Sequence, residues 1–216
     1  VHFQSASQRP LPVVGLVLGA MAVTPAALGA GPWLAAWLAV VIDLWATRGL
    51  HADGLADVAD AWGSMARGER FFEIMKDSRV GAFGVMGLFA ALSGKLVLYA
   101  GLFMAGDASA VVFSFIVGRT SAVWLMGLTR LLARPGLGQL FLDGATPAVM
   151  AGTLAVTVLA GMLLAGGRGM VSGLVLCAVV VAMLAGLAKS RGAVNGDFLG
   201  ACVVLGELAA CLGAGA

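Results

Sequence analysis

Seven apolar runs, at 11–30, 33–50, 81–105, 108–129, 148–165, 170–188 and 198–213, divide this 216-residue chain into oily segments joined by short polar connections. At about 1.5 Å of helix per residue, such runs cross most or all of a hydrocarbon layer about 30 Å thick. Inside that layer no water is present to satisfy backbone N–H and C=O groups, so only helices and closed barrels can span it. The runs are continuous and lack the ten-residue alternation of a membrane barrel, which leaves helices. Charge is scarce: 11% of residues are charged and 61% hydrophobic, against roughly a quarter charged in soluble domains. The expected fold is all-α, a polytopic integral membrane helix bundle of about seven transmembrane helices, with short amphipathic helices on the cytoplasmic side. Residues 1–216 are expected to form one transmembrane domain. The chain begins at Val1, so an N-terminal piece is expected to be missing.

Three longer polar connections, 51–79, 130–147 and 189–197, interrupt the spans. When the first is put in the cytoplasm and the spans alternate, ten of the thirteen Lys and Arg residues fall on that side. Arg168 falls opposite, and Lys95 and Arg119 lie within spans. This is the positive-inside pattern, and it brings all three connections to one face. Topology accounts for the basic residues, so the net charge of +2 does not indicate nucleic acid as a partner. The three cysteines, Cys177, Cys202 and Cys211, lie in apolar runs with no metal-ligand spacing and read as free buried thiols. Abundant glycine favours close helix approach and is compatible with a homo-oligomer.

The stretch His51–Asp60 holds three of the chain's eleven acidic residues. On a helix Asp53, Asp57 and Asp60 share one face at i, i+4, i+7, where like charges repel. One reading is a solvated acidic helix start. The other is coordination of Mg²⁺ or Mn²⁺, since hard cations take carboxylate oxygens together with substrate phosphates. His51 is either a general base or phosphate ligand, or a structural interface histidine.

A second helix is expected over 66–77, stacking Glu69, Glu73 and Asp77 on one face. Lys76 and Arg79 either neutralise these acids or leave Glu73 and Asp77 to support the first cluster's metal. Lys95, Arg119 and Glu207 are intramembrane charges, which face a bundle interior and find partners. Arg119 reads as a phosphate ligand or as a partner of Glu207. Asp43, two turns before His51, can point toward the polar face. The sequence Asn195-Gly196-Asp197 reads as a helix N-terminus, with Asp197 either a cap or part of an anion site.

Taken together, His51-x-Asp53-Gly54-Leu55-Ala56-Asp57-x-x-Asp60 and Glu73-Ile74-Met75-Lys76-Asp77-Ser78-Arg79-x-Gly81 resemble the cobalamin-5'-phosphate synthase family, also called adenosylcobinamide-GDP ribazoletransferase. Gly118-Arg119 with Ser121, Gly136-Leu137-Gly138, and Gly196-Asp197-x-x-Gly200 leading to Gly206-Glu207-Leu208 follow in the family's order. The chain departs from the family's Gly-Gly-x-Thr-Gly-Asp at Ala193 and Asn195. The resemblance implies a Mg²⁺-dependent enzyme of a bacterial or archaeal inner membrane, with its active face cytoplasmic. Its substrates would be adenosylcobinamide-GDP and α-ribazole or α-ribazole 5'-phosphate, and GMP would be released. Asp53, Asp57 and Asp60 are then expected to hold metal with Glu73 and Asp77, and His51 or an aspartate to act as base. Lys76, Arg79, Arg119 and Asp197 are expected around substrate phosphates. The acidic pattern is also similar in kind to that of CDP-alcohol phosphotransferases, which keeps a membrane enzyme with another substrate as an alternative. A cation transporter is the weaker alternative, since the acids cluster at one side and no internal repeat is visible.

Overall fold

The computed structural model describes residues 10–132 and 144–215. Arg9, Arg134, the Gly136-Leu137-Gly138 motif and Asp143 lie outside the described residues. Among those described, all regular structure is helical apart from an isolated bridge residue, Val194, in the last connection. The helices are α1 (Leu11–Ala27), α2 (Pro32–Ala46), α3 (Leu50–Gly63), α4 (Glu69–Met75), α5 (Ala82–Met104), α6 (Ala108–Thr129), α7 (Pro147–Leu164), α8 (Gly166–Arg191) and α9 (Gly196–Ala214). A short 3₁₀ turn, Arg130–Leu132, follows α6.

The bundle is built around α6, which is 83% buried over its spanning window, with α9 beside it. Glycine lets the backbones meet. A Cβ at Gly15 of α1 would lie 2.5 Å from the Phe115 carbonyl oxygen of α6, and one at Gly19 would lie 2.9 Å from Val112 Cα. Lipid tails give apolar helices no hydrophobic reason to associate, so this close contact supplies the attraction. The outer helices α5, α7 and α8 turn Phe89, Leu163 and Met183 outward, as a lipid solvent requires.

Among the described residues five helices, α5 through α9, are long and apolar enough to span. A sixth span arises only if α2 and α3 are joined across an 89° bend, and α1, though apolar, has 17 residues. The expected count of about seven therefore rests on α1 and α2, neither of which meets that length alone. The second expected span, 33–50, ends early at Ala46 because Arg48 (φ 52°) and Gly49 (φ 70°) are both left-handed, which no α-helix can continue through. The expected helix over 66–77 shrinks to α4, since Gly68 at φ 58°, ψ −139° occupies a region open essentially to glycine.

The three polar connections do meet at one end. The Val194 amide donates to the Leu132 carbonyl at 3.0 Å, and Asp197 packs on Gly54. At the opposite end Ser109 Oγ donates to the Leu164 carbonyl at 2.7 Å and Ser172 Oγ to the Gly213 carbonyl at 2.6 Å.

Candidate active site

The bend between α2 and α3 creates the site. Because α3 turns aside, it lies across the N-terminal ends of α5 and α9 and does not run parallel to them. Its buried face, Leu55, Ala56, Val58 and Ala61, packs on the bundle. Gly54 permits the closest approach: a Cβ there would sit 2.8 Å from the Asp197 carbonyl oxygen and 2.9 Å from its Cα. The first turn of α9 is thereby pressed against the acidic helix.

This contact gathers carboxylates. Asp57, half-buried, feels the charges of Asp197, Asp53 and Asp60. Asn195, not Asp197, caps α9: its Oδ1 accepts from the Phe198 amide at 3.4 Å, and its Nδ2 donates to Asp197 Oδ2 at 2.6 Å. Among the described residues, no Lys or Arg pairs with Asp53, Asp57 or Asp197. Three acids held together without a protein cation form a site that a positive ligand would relieve.

Asp60 has a different occupation. Its two oxygens accept from the Gly81 and Gly84 amides, both at 2.7 Å. It thus caps α5 from another helix, satisfying two of the donors that every helix start leaves open. Glycine is required at both positions, since a Cβ would lie 2.5 Å or less from an Asp60 oxygen. The sequence carried a signal for this: α5 begins at Gly81 with no side-chain cap of its own.

The remaining sequence candidates separate into two groups. Glu73 pairs with Arg70 at 2.9 Å on the exposed side of α4. Asp77 pairs with Arg79 at 2.7 Å, and the Arg79 hydrogen bonds hold its carboxyl down to about 2. Neither is among the charges Asp57 feels, so the structure does not bring them to the aspartate face. Lys76 is exposed.

The other group is buried in the bundle. Lys95 Nζ lies 2.5 Å from both Asp43 Oδ2 and Glu207 Oε2. Arg119 reaches Asp43 Oδ1 at 3.4 Å and also pairs with Glu207 Oε1. Two acids and two bases make a closed, neutral cluster joining α2, α5, α6 and α9. Arg119 is therefore committed to carboxylates and not presented to the site, the second of its two sequence readings. His51 stands on the opposite side of α3 from the aspartates, being about 200–240° around the helix from Asp53 and Asp57 at 100° per residue. The charges it feels are those of Arg119, Asp43 and Lys95.

The donor chemistry suits a hard divalent cation. Among the described residues, no three His, Cys, Asp or Glu groups converge into a ready metal cage. Mg²⁺, however, commonly takes one or two carboxylates and completes its shell with water and substrate phosphates. Unpaired Asp53, Asp57 and Asp197 fit that requirement, whereas Asp60, with both oxygens engaged, does not.

Comparison with known proteins places the chain in a family. Residues 2–215 match the family described as cobalamin-5-phosphate synthase. An adenosylcobinamide-GDP ribazoletransferase of Nitratidesulfovibrio vulgaris (strain DSM 19637 / Miyazaki F) is 44% identical over 205 residues, covering 94% of this chain and 82% of the relative. That of strain DP4 is 42% identical over 213 residues, covering 97% and 87%. The same-named protein of Klebsiella pneumoniae (strain 342) is 34% identical over 203 residues, covering 91% and 82%. No solved structure matches. The chain belongs to the cobalamin-5-phosphate synthase family.

Proposed function

We propose that this member of the family is a membrane transferase of the last steps of cobalamin biosynthesis. It joins α-ribazole or α-ribazole 5'-phosphate to adenosylcobinamide-GDP and releases GMP. A hydroxyl of the ribazole attacks the cobinamide-side phosphorus, the bond from that phosphorus to the bridging oxygen of GMP breaks, and the attacking hydroxyl gives up its proton. The observation that carries the reading is the group Asp53, Asp57 and Asp197, unpaired by any Lys or Arg at the end where the polar connections meet.

Asp57 with Asp53 and Asp197 would hold Mg²⁺ or Mn²⁺, which would neutralise charge on the pyrophosphate and on the departing GMP. An aspartate of this group is the better proton acceptor, since His51 faces the buried ion cluster. Asn195 steadies the Asp197 carboxylate through its 2.6 Å hydrogen bond. The neutral Asp43–Lys95–Arg119–Glu207 cluster holds the α2 end from which α3 departs, and so fixes where the aspartates stand. The Lys and Arg residues beside the polar connections favour a cytoplasmic face in a bacterial or archaeal inner membrane.

The test is reconstitution of the full chain in lipid with adenosylcobinamide-GDP, each acceptor in turn, and Mg²⁺. GMP release that depends on acceptor and metal supports the reading. Transfer from a CDP-linked donor with none from the GDP-linked corrinoid refutes it, and so does a wild-type rate after complete removal of divalent metal.

A further inference from the structure

We infer that Arg191 grips the pyrophosphate of the donor substrate, an inference that rests on the transfer reaction proposed above. Arg191 is the last residue of α8, four residues before the Asn195 cap and six before Asp197. Its guanidinium carbon lies 5.1 Å from the centroid of the Phe71 ring. Phe71 in turn lies 6.2 Å, centroid to centroid, from Phe198, the neighbour of Asp197. The cation is thus linked through two aromatic rings to the first turn of α9, the turn that carries Asp197. It is not joined to the site aspartates: among the described residues Arg191 forms no ion pair, and its buried Nε has no hydrogen-bond acceptor.

The substrate makes such a cation necessary. A pyrophosphate approaching unpaired carboxylates meets repulsion that a divalent metal offsets only in part. The cations nominated by sequence are mostly spent elsewhere. Arg119 is locked between Asp43 and Glu207, and Arg79 is paired with Asp77. Lys76 forms no ion pair among the described residues but is exposed, and a long solvated side chain loses rotamer freedom on binding. Arg191 is stacked on an aromatic face, which holds its planar fork in advance for two phosphate oxygens. The simpler account, a basic residue offsetting the dipole at a helix C-terminus, would be met equally by lysine and does not call for a buried donor without an acceptor.

The experiment uses the full chain in lipid nanodiscs, as wild type, Arg191→Lys and Arg191→Gln. It measures GDP binding with Mg²⁺ by calorimetry, KM for each substrate and the melting temperature. Arg191→Lys keeps the helix-end charge and is expected to melt as wild type. Its dissociation constant for GDP and its KM for adenosylcobinamide-GDP should rise about tenfold to a hundredfold, the worth of a hydrogen bond to a charged group. Its KM for the ribazole acceptor should not change. GDP that binds Arg191→Lys as tightly as wild type, or does not bind the wild type at all, overturns the assignment, as does an equal rise in both KM values. Absence of transfer in the wild type refutes the reaction instead and leaves GDP affinity to decide Arg191.

Discussion

Replacing Lys95 by Met tests the buried ion cluster directly. The ammonium is 2% exposed and sits 2.5 Å from two carboxylates on two other helices. With it gone, Asp43 and Glu207 share only Arg119, and the cluster carries one uncompensated negative charge inside the bundle. Breaking a buried pair in this way costs about 3–5 kcal/mol, because the remaining charge is left without solvent or partner. For a domain of this size, at about 2–4 °C per kcal/mol, that is a fall of roughly 6–20 °C in melting temperature. Adding Glu207→Gln restores neutrality and leaves the Asp43–Arg119 pair intact. The double variant should recover about 1–3 kcal/mol relative to the sum of the two single changes. The assay is thermal unfolding in one fixed detergent, followed by tryptophan fluorescence and by loss of the monodisperse species. A Lys95→Met protein that melts with wild type, or a double variant whose losses simply add, would refute the closed-cluster account.

The site residues yield contrasting expectations. Asp57→Asn should abolish transfer by at least about a hundredfold while leaving the melting temperature equal or higher, since it relieves repulsion; transfer at the wild-type rate would end its assignment to metal or base. Asp60→Asn should do the reverse, losing about 1–2 kcal/mol of stability as one oxygen facing an α5 amide becomes a donor; an unchanged melt would show that α5 does not depend on this cap. Gly54→Ala places a methyl 2.8 Å from the Asp197 carbonyl, so the start of α9 must shift at about 1–3 kcal/mol and transfer should fall although no ligand is removed. Asp77→Asn should leave both transfer and melting unchanged, because its partner Arg79 is exposed; a large loss of transfer would return Asp77 to the metal group.

The helical, multi-span character was legible because the bilayer imposes a length and a composition that single runs reveal, but the count of about seven was not, since α1 and α2 fall short of that length. The positions where the chain turns were harder. Arg48 ends α2 by adopting φ 52°, an uncommon choice for a residue with a Cβ, and only the short break Thr47-Arg48-Gly49 near the end of the 33–50 run marks it. The bend is nonetheless what sets the acidic helix across the ends of α5 and α9. The burial of Lys95 and Glu207 was legible, since intramembrane charges must find partners. That Asp43 would complete a neutral foursome was not, because its position depends on α2 stopping where it does.

Helical spacing placed Asp53, Asp57 and Asp60 on one face, and they are on one face. Spacing could not divide their work, which follows from what packs against each. Asp197 arrives beside Gly54 and joins Asp57 and Asp53, while the uncapped start of α5 arrives beside Asp60 and takes both its oxygens. The same logic removes Arg119 from the list of phosphate ligands and brings in Arg191. A charge is available to a substrate only if the fold has not already matched it. Local sequence shows which charges exist, but the matching is done by residues as far apart as 43 and 119, or 60 and 81. The acids left unmatched at the meeting of α3 and α9 are therefore the strongest mark of chemistry in this bundle. Arg191, stacked over Phe71 and without an ion pair among the described residues, is the proposed place for the charge they would otherwise repel.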